Sequence, residues 1–568
     1  MKFAIAQLNP KVGDLEGNAA KIVAAYLKGA SEGADVVVCP ESALTGYPLE
    51  DLVLRKSFME AVEINLANVV DAVNKSGEKA VLIFGTPKVF DQISDTKPTN
   101  SAIVIDPVNQ PSIQWVLKRE LPNYGVFDEK RHYVAGSFPA HVVNVHGYSI
   151  GLMICEDCWF PQVSAQLAND GAEMLLSING SPFEVGKNVT RRKIIANRIK
   201  ENGLPFMYVN MVGGQDELVF DGGSFYYDGI SVQEAPAFVE GISYFDVTVE
   251  DHPRAGSFIP SAALDNYPTV KVSGVADIYQ AIVLGVRDYL TKQGFKSVLL
   301  GYSGGVDSGI VAAIACDAIG AENVELVRLP SKFSSDHSLD DAAEGAARLG
   351  APIRTMPIEP VVQALRETYE SCGRGKLVGP SDENIQARAR GNILMAISNQ
   401  EGHLLLTTGN KSEVSVGYST LYGDMSGGFN PIKDCYKTTV WEMCRWRNEL
   451  SQDDLNGYGF LGKGGIDVVP EEIIVKPPSA ELRADQKDSD SLPPYHVLDH
   501  ILTGFVERDL SNREVVAEGI ADAETVARVR RLVDMAEYKR RQAAPGVKIT
   551  SKLFGRDRRY PIVNGWRD

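Results

Sequence analysis

The sequence has no long apolar run, and none of its stretches approaches the roughly 20 consecutive apolar residues that a membrane-spanning helix requires. The opening MKFAIAQLNP has too short an apolar segment for a signal peptide, and we expect it to contain a strand. Basic residues are outnumbered, 57 against 74 acidic ones, and the net charge of −17 disfavours binding to bulk nucleic acid or to an anionic membrane. Cysteines are few and scattered, and an odd number, seven, favours free thiols in a reducing cytoplasm over disulfides.

A chain of 568 residues is too long for one hydrophobic core, so we expect at least two domains. In the first half, short apolar runs alternate with stretches of helical spacing, for example residues 18–32 and 55–73. The predicted strands are residues 3–7, 36–39, 81–85, 102–105, 150–154, 174–178 and 207–210. This pattern predicts an α/β layered sandwich for residues 1–245.

Three residues near the ends of extended segments in this half have complementary chemistry. Glu41 lies just past a predicted strand, Lys118 lies in an extended segment, and Cys155 follows another strand. A thiol becomes a nucleophile when a base takes its proton and a nearby cation stabilises the negative charge. Glu41 can be that base, and Lys118 can supply positive charge beside a tetrahedral oxyanion. A cysteine in such a place is by itself more often a core residue. The prediction of a nucleophile therefore depends on all three residues together.

The order and placement of these residues resemble the nitrilase, or carbon–nitrogen hydrolase, superfamily, whose Glu–Lys–Cys triad corresponds here to Glu41, Lys118 and Cys155. The resemblance covers nearly all of the first half and implies a nitrilase-like α-β-β-α sandwich that acts as a glutaminase. It also implies that Glu129 is a second catalytic glutamate, and that Tyr124 and Ser181 contact the glutamine substrate.

Residues 246–275 interrupt the regular pattern, with Pro253, Pro260 and Pro268 among polar residues. We expect a linker that runs over the surface. It divides the chain into an N-terminal domain, residues 1–245, and a C-terminal domain, residues 276–568.

The second half is organised around a Ser/Gly turn between a predicted buried strand and an Ala-rich helix. Its residues are Ser303, Gly304, Gly305, Val306, Asp307 and Ser308. Such a turn points backbone N–H groups and a helix N-terminus at one place, which favours phosphate binding. It is not a Walker A loop, because no Lys-Ser/Thr pair follows the glycines. Asp307 would repel a phosphate unless a divalent cation lay between them, so the turn also predicts Mg²⁺.

This turn resembles the pyrophosphatase loop of ATP-dependent adenylating amidotransferases and their relatives. The resemblance implies a Rossmann-like ATP-pyrophosphatase domain, of the adenine nucleotide alpha hydrolase type, with a parallel sheet. Members of this family cleave ATP between its α and β phosphates and transfer AMP to an oxygen of the substrate.

Two later segments carry further candidate residues. The predicted strand 404–406 leads into TTGNKSE, and in open α/β sheets ligands bind at that edge, so Glu413 could complete a Mg²⁺ site with Asp307. In a helix predicted to begin near Glu383, Asn384 and Arg388 share one face. Polar residues at this spacing usually form a solvated face, and a binding site is the alternative.

From the Ser/Gly turn onward, the chain closely resembles the NAD⁺ synthetases in the motifs SGGVDS, ENIQARAR, TTGNKSE, YGD and PSAELR. With the nitrilase-like half, the resemblance to the glutamine-dependent members covers the entire chain. It implies ATP contacts from residues 303–308 and Thr408, Mg²⁺ bound by Asp307 and Glu413, and substrate or phosphate contacts from Asn384, Arg388, Lys437 and Lys487. The chain departs from single-domain members in having Gly427, Gly428, Phe429 and Asn430 where they carry a second aspartate, so the contacts to the pyridine carboxylate are not implied.

The implied reaction is the ATP-dependent amidation of nicotinic acid adenine dinucleotide (deamido-NAD⁺) to NAD⁺. Ammonia would come from glutamine through a sheltered channel, with AMP, pyrophosphate and glutamate as by-products, in a cytoplasmic homo-oligomer. Two alternatives stay open: another ammonia-channelling amidotransferase with the same loop, and a tRNA-modifying adenylating enzyme, which the net charge of −17 disfavours. A non-catalytic scaffold would leave two groups of candidate catalytic residues unexplained.

Overall fold

The structure, a computed structural model, describes residues 1–91, 93–94, 97–109, 112–136, 142–247, 274–334, 336–478, 482–483 and 488–566. The chain divides into two units, Met1–Ser273 and Gly274–Asp568. Most of the predicted linker, residues 248–273, lies outside the described residues. None of the helices within the described ranges combines the length and the apolar character needed to cross a bilayer.

Two six-stranded sheets form the first unit. The first contains β1 (Lys2–Gln7), β2 (Val36–Val38), β3 (Val81–Lys88), β4 (Thr99–Ile105), β5 (Ile113–Leu117) and β14 (Gly241–Asp246), in the order β14-β1-β2-β3-β4-β5. The second contains β6 (Val142–Val145), β7 (Tyr148–Ile154), β8 (Met174–Asn179), β9 (Phe206–Asn210), β12 (Phe225–Tyr227) and β13 (Val232–Glu234), in the order β13-β12-β9-β8-β7-β6. A separate hairpin pairs β10 (Val212–Gln215) with β11 (Leu218–Asp221).

Side chains alternate between the two faces of each strand, so both faces of each sheet are covered and the first unit has four layers. In β1, Phe3 and Ile5 enter the core between the sheets, whereas Ala4 and Ala6 pack under outer helices. The helices Leu15–Ser31 and Lys56–Lys75 cover the first sheet, and Pro161–Asn169 and Lys187–Asn202 cover the second. Shorter helices are Glu50–Leu54, Glu129–His132 and Cys155–Cys158. The predicted α-β-β-α sandwich is confirmed.

The second unit contains a four-stranded parallel sheet of β15 (Val298–Gly301), β16 (Val324–Arg328), β17 (Ile353–Thr355) and β18 (Leu404–Leu406). The strand order is β17-β16-β15-β18, so the direction of winding reverses between β15 and β18. Ligands of open α/β sheets bind outside the carboxyl ends of the strands at such a reversal. The SGGVDS turn follows β15 and TTGNKSE follows β18, so both flank this point.

Helices surround this sheet, as predicted for a Rossmann-like domain. One face packs on Glu359–Ser371 and Pro380–Glu401, and the nearly fully buried helix Val306–Ile319 contacts β15 and β16. The other helices are Val275–Gln293, Ala321–Asn323, Asp336–Leu349, Lys411–Val416, Lys437–Glu449, Gln452–Tyr458, Glu471–Val475, Asp488–Asp490, Tyr495–Val506, Asn512–Ala517, Ala523–Met535 and Glu537–Arg540. Several of the later helices form a separate apolar cluster around Leu498 and Val529.

Candidate active sites

In the first unit, a buried lysine joins two glutamates. Lys118 Nζ donates hydrogen bonds to Glu41 Oε1 at 2.8 Å and to Glu129 Oε1 at 2.9 Å, and all three side chains are buried. Burial lowers the pKa of Lys118, but the negative charges of Glu129 and Glu41 outweigh it and the pKa lies well above its ordinary value. Burial raises the pKa of Glu129 to about 7 against the attraction of Lys118. The ammonium therefore remains charged while two carboxylates compete for it.

The ends of two strands of the first sheet and the start of a short helix place this group. Glu41 follows β2, Lys118 follows β5, and Glu129 begins the short helix Glu129–His132. Gly85 of β3 lies against the backbone of the first glutamate: a Cβ there would be 2.6 Å from Glu41 Cα and 2.2 Å from Ser42 N. Only glycine permits this close approach.

Cys155 follows β7 and begins the turn Cys155–Cys158, with a φ of 47° that non-glycine residues seldom adopt. Its side chain lies in the core between the two sheets, whereas Cys158 lies in the cluster under the outer helices. Burial and the charge of Glu41 raise the pKa of the Cys155 thiol well above its ordinary value, and Lys118 acts in the opposite direction. Such a thiol stays protonated at neutral pH unless a neighbouring base takes its proton.

Three groups that the sequence analysis missed orient the carboxylates. Asn100 Nδ2 and Gly180 N donate to Glu41 Oε1 and Oε2 at 2.8 and 2.7 Å, and Tyr47 OH donates to Glu129 Oε1 at 3.0 Å. Glu129 Oε2 is buried and has no hydrogen-bond partner among the described residues. Gly180 could have been suggested by its place beside Ser181, but no motif marks Asn100 or Tyr47.

The two predicted glutamine contacts lie next to this group in different settings. Tyr124 is half exposed, and its OH donates to Glu156 Oε1 at 3.0 Å, on the residue after Cys155. Ser181 is buried beside Gly180, and its Oγ accepts a hydrogen bond from Arg191 Nε at 3.1 Å. Arg191 is fixed in turn by its ion pair with Asp221, whose Oδ1 lies 2.8 Å from NH1.

The second unit contains a cavity of about 500 Å³ at the carboxyl ends of β15 and β18. The predicted residues that line it are Ser303, Gly304, Gly305, Val306, Asp307, Ser308, Asn384, Thr408, Glu413 and Lys437. Arg388 is not among its described lining residues, and Lys487 lies outside the described residues. The structure therefore brings all but two of the predicted residues of this half to one cavity.

The Ser/Gly turn has the shape of an anion site. Gly304 has a φ of 77°, and a Cβ on it would lie 2.4 Å from Ser338 O, so no other residue fits. Inside the turn, Ser308 Oγ donates to Gly305 O at 2.9 Å and Gly305 N donates to Ser303 Oγ at 3.2 Å. The helix Val306–Ile319 begins within the turn, so its N-terminus adds positive potential at the cavity.

Asp307 and Glu413 both lie close to the ammonium group of Lys437, and all three residues line the cavity. Lys437 Nζ donates to Asp307 Oδ2 and lies 3.5 Å from Glu413 Oε1, while Asn410 Nδ2 donates to Asp307 Oδ1 at 2.9 Å. Burial and the charge of Asp307 raise the pKa of Glu413 to about 8, with Lys437 opposing. Two crowded carboxylates with hard oxygen donors, facing a phosphate-type turn, fit Mg²⁺.

The helix Pro380–Glu401 holds the loop that carries the YGD motif. Asn384 Oδ1 accepts from Thr420 Oγ1 at 2.8 Å, and Arg388 Nε donates to Leu421 O at 3.1 Å. Asp424 of the motif lines the cavity, and its Oδ1 accepts from Thr420 N at 2.6 Å. Arg388 is not a lining residue, but its hydrogen bond to Leu421 helps to hold the loop that forms part of the cavity wall.

At the opposite ends of the strands, Glu325, Glu401 and His403 place possible metal-ligating atoms within 4.8 Å of one another. Arg354 pairs with both glutamates, and its NH2 lies 2.7 Å from Glu401 Oε2. These negative charges are therefore compensated within the group, which we interpret as an ion-pair network.

The fold and the two groups of residues define a class: a nitrilase-type carbon–nitrogen hydrolase unit joined to a nucleotide-binding unit with a pyrophosphatase-type turn. Family models agree, since the carbon–nitrogen hydrolase model matches residues 2–253 and the NAD synthase model matches residues 278–543.

Relatives match this chain over its full length. The glutamine-dependent NAD⁺ synthetase of Rhodobacter capsulatus is 45% identical, covering 100% of this chain and 99% of that protein. The enzyme of the same name from Acinetobacter baylyi is 41% identical with the same coverage. A solved Acinetobacter baumannii glutamine-dependent NAD⁺ synthetase, in complex with ADP, superposes with a TM-score of 0.72 at 38% identity, covering 100% of this chain and 99% of that one. The chain belongs to the glutamine-dependent NAD⁺ synthetase family.

Proposed function

We propose that this chain makes NAD⁺ by amidating deamido-NAD⁺ with ammonia taken from glutamine, at the expense of ATP. The observation that carries the proposal is the full-length match at 45% identity to a glutamine-dependent NAD⁺ synthetase, in a chain that has both candidate sites. In this proposal residues 1–245 are the glutaminase domain, residues 246–275 the linker and residues 276–568 the synthetase domain.

In the glutaminase half, Glu41 takes the proton of Cys155, and the sulfur attacks the carboxamide carbon of glutamine. Lys118 stabilises the negative oxygen of the tetrahedral intermediate. Glu41 returns the proton to the leaving nitrogen, ammonia departs, and a thioester remains. Water then attacks the thioester, with Glu41 again accepting the proton, and glutamate and the free thiol are released.

Glu129, Tyr124 and Ser181 position the glutamine in this scheme. Glu129 is suited to hold the carboxamide, because its Oε2 is buried without a partner in the described chain and can accept from an N–H donor. Tyr124, which donates to the neighbour of Cys155, and Ser181, which follows Gly180, would hold the rest of the substrate.

In the synthetase half, residues 303–308 and Thr408 bind ATP, and Lys437 and Lys487 contact phosphates. A carboxylate oxygen of deamido-NAD⁺ attacks the α-phosphorus, the bond to the β-phosphate breaks and pyrophosphate leaves. Ammonia attacks the adenylated carbonyl and displaces AMP, which makes the amide. Asp307 and Glu413 would hold Mg²⁺, which neutralises phosphate charge when bound.

In this proposal Asn384 contacts the dinucleotide directly, and Arg388 supports that contact indirectly. Asn384 lines the cavity, whereas Arg388 fixes Leu421 and acts on substrate through the YGD loop.

We also infer a cytoplasmic homo-oligomer without nucleic-acid or membrane partners. The seven cysteines are free, which suits a reducing compartment, and the net charge of −17 disfavours polyanionic partners.

Ammonia is mostly protonated at neutral pH and then not nucleophilic, so direct transfer between the sites, sheltered from bulk water, serves the reaction.

The test is product analysis with ATP, Mg²⁺, glutamine and deamido-NAD⁺. We expect NAD⁺, AMP, pyrophosphate and glutamate to accumulate together. ADP and phosphate in step with NAD⁺ would contradict adenylation, and turnover of a different carboxylic acid or of tRNA in place of deamido-NAD⁺ would favour one of the alternative classes.

A further inference from the structure

Asp157 is a buried carboxylate near the glutaminase site to which the proposed chemistry assigns no role. Its side chain is 1% exposed, and it lies in the turn Cys155–Cys158, two residues after the nucleophile. Burial raises the pKa of Asp157 to about 6, while the backbone N–H groups of Glu120, Ile154 and Arg119 act against that shift. Burying a carboxylate costs free energy unless hydrogen bonds compensate for it, so the hydrogen-bond partners of Asp157 indicate its role.

The three hydrogen bonds of Asp157 join two chain segments. Its Oδ2 accepts from Ile154 N at 3.1 Å, on the residue that precedes Cys155. Its Oδ1 accepts from Arg119 N at 2.9 Å and Glu120 N at 2.8 Å, on the two residues that follow Lys118. One carboxylate therefore links the backbone next to the nucleophile with the backbone next to the ammonium.

Both linked segments need such support. Cys155 has a φ of 47°, a conformation that costs a non-glycine residue free energy and persists only where the surroundings enforce it. Lys118 is the first residue after β5, where the regular ladder to β4 ends. Its own N–H still donates to Asn100 O at 2.9 Å, and the next two N–H groups turn to Asp157.

We propose that Asp157 is a positioning residue of the glutaminase site: it fixes the separation of the Cys155 turn and the Lys118 segment, so that thiol, base and ammonium stay aligned. This inference rests on the proposed function only for its catalytic readout. An asparagine at 157 would keep the shape, but its amide nitrogen is a donor and would face a backbone N–H on one of the two segments. A misplacement of about 1 Å in such a site can reduce the rate by roughly 100-fold.

The test compares Asp157→Asn with a matched control, Asp106→Asn. Asp106 is also a buried carboxylate of the first unit, 3% exposed, and its Oδ1 accepts from Val108 N and Asn109 N at 2.9 Å each. Its bonds stay within one turn and join no candidate catalytic segments. We expect Asp157→Asn to lower kcat for glutamine hydrolysis at least ~10-fold with little change in KM, and Asp106→Asn to stay within about threefold of wild type.

A second variant and a second readout separate positioning from loss of folding. Asp157→Glu keeps the charge and moves the oxygens by one carbon, so we expect a smaller but clear loss of kcat. Alkylation of Cys155 by iodoacetamide, followed on the Cys155 peptide, should change its rate constant and pH profile in the Asp157 variants. A merely structural role would reduce only the amount of folded protein and leave that rate constant unchanged.

The outcomes distinguish this inference from the proposed function. Ammonia-dependent NAD⁺ synthesis should remain near wild type in every variant. If wild-type protein hydrolyses no glutamine, the proposed function fails, and the alkylation rates still decide the role of Asp157. Wild-type kcat and wild-type Cys155 reactivity in Asp157→Asn, or equal losses in Asp157→Asn and Asp106→Asn, would overturn the inference.

Discussion

Lys437 donates a hydrogen bond to Asp307, although 130 residues separate them in the chain. Lys437 is the first residue of the helix Lys437–Glu449, and its backbone N–H donates to Ser412 Oγ at 2.9 Å. Ser412 Oγ donates to Asp499, which also accepts from Thr438 N at 3.0 Å. The ammonium thus reaches the candidate metal ligands because a buried aspartate from a third part of the chain fixes the start of its helix.

This chain of contacts predicts a remote effect on synthesis. Asp499→Ala should lower ammonia-dependent NAD⁺ synthesis at least ~10-fold and cost about 1–3 kcal/mol of stability, because Ser412 Oγ and Thr438 N lose a buried acceptor. Glutamate release should be unchanged. The measurements are both rates and the urea midpoint, with Asp522→Ala as the control. Asp522 caps the helix Ala523–Met535 through an exposed hydrogen bond from Thr525 N, so that variant should lose stability without losing synthesis, and equal synthesis in the two would contradict the prediction.

The layered α/β architecture was predictable from the apolar pattern of the sequence. Apolar runs such as those of β1 and β8 predicted strands because burial on a sheet demands them, and their interleaved helices predicted layers. Strands β10 to β14 were not predicted, since they are short and include Gly213, Gly214 and exposed positions. Strand β14 pairs antiparallel with the distant β1, which a single pass along the sequence does not reveal, whereas β10–β11 and β12–β13 are local antiparallel pairs.

Candidate site residues could be predicted where they follow a strand or lie in a recognisable turn. Residues that only support another residue could not be predicted. Glu41, Lys118 and Asp307 sit at strand ends or in a recognisable turn. Asn100 lies inside β4 and Asp499 inside the helix Tyr495–Val506, where their amide and carboxylate are indistinguishable from ordinary polar residues. Their roles come from tertiary hydrogen bonds, and no local pattern encodes those.

The two candidate sites should be separable by mutation. Cys155→Ala should abolish glutamine-dependent NAD⁺ synthesis and leave ammonia-dependent synthesis near wild type, because only the thiol nucleophile is lost. The two rates are measured on the same preparation with glutamine or with an ammonium salt. Equal loss of both would contradict Cys155 as the glutaminase nucleophile.

The electrostatics of the thiol predict opposite effects on reactivity and catalysis. The charge of Glu41 raises the pKa of Cys155, so Glu41→Gln should lower that pKa and move the pH profile of Cys155 alkylation toward lower pH. Loss of the base should at the same time reduce glutamine hydrolysis at least ~100-fold. Mass spectrometry of the Cys155 peptide, from neutral pH to alkaline pH above the ordinary range of thiol pKa values, measures the shift, and the exposed Cys372 serves as an internal control. An unchanged or higher midpoint would show that Glu41 does not act on the thiol.

A buried ion pair predicts where the second unit is most easily destabilised. Arg447 is fully buried, and its Nε and NH2 donate to Asp317 at 2.6 and 2.8 Å. Arg447→Met leaves the Asp317 charge without its partner, and we expect a loss of about 3–5 kcal/mol in the free energy of unfolding. Arg508→Met, which breaks an exposed pair with Glu518, should cost far less. Urea unfolding of both variants makes the comparison, and similar losses would contradict it.

Asp307 and Glu413 should make NAD⁺ synthesis dependent on Mg²⁺. An unscreened carboxylate about 4 Å from a phosphate charge costs about 4 kcal/mol at an effective dielectric of ~20, and a divalent cation between them turns that repulsion into attraction. Asp307 lies in the turn that faces the cavity, and Glu413 approaches the same ammonium. Asp307→Asn and Glu413→Gln should therefore reduce synthesis at least ~100-fold with glutamine and with ammonia alike. The measurement is synthesis rate against Mg²⁺ concentration, with glutamate release followed in the same samples as the control. Glutamate release should persist, because Cys155, Glu41 and Lys118 belong to the other unit. A wild-type rate and Mg²⁺ dependence in both variants would place the metal elsewhere.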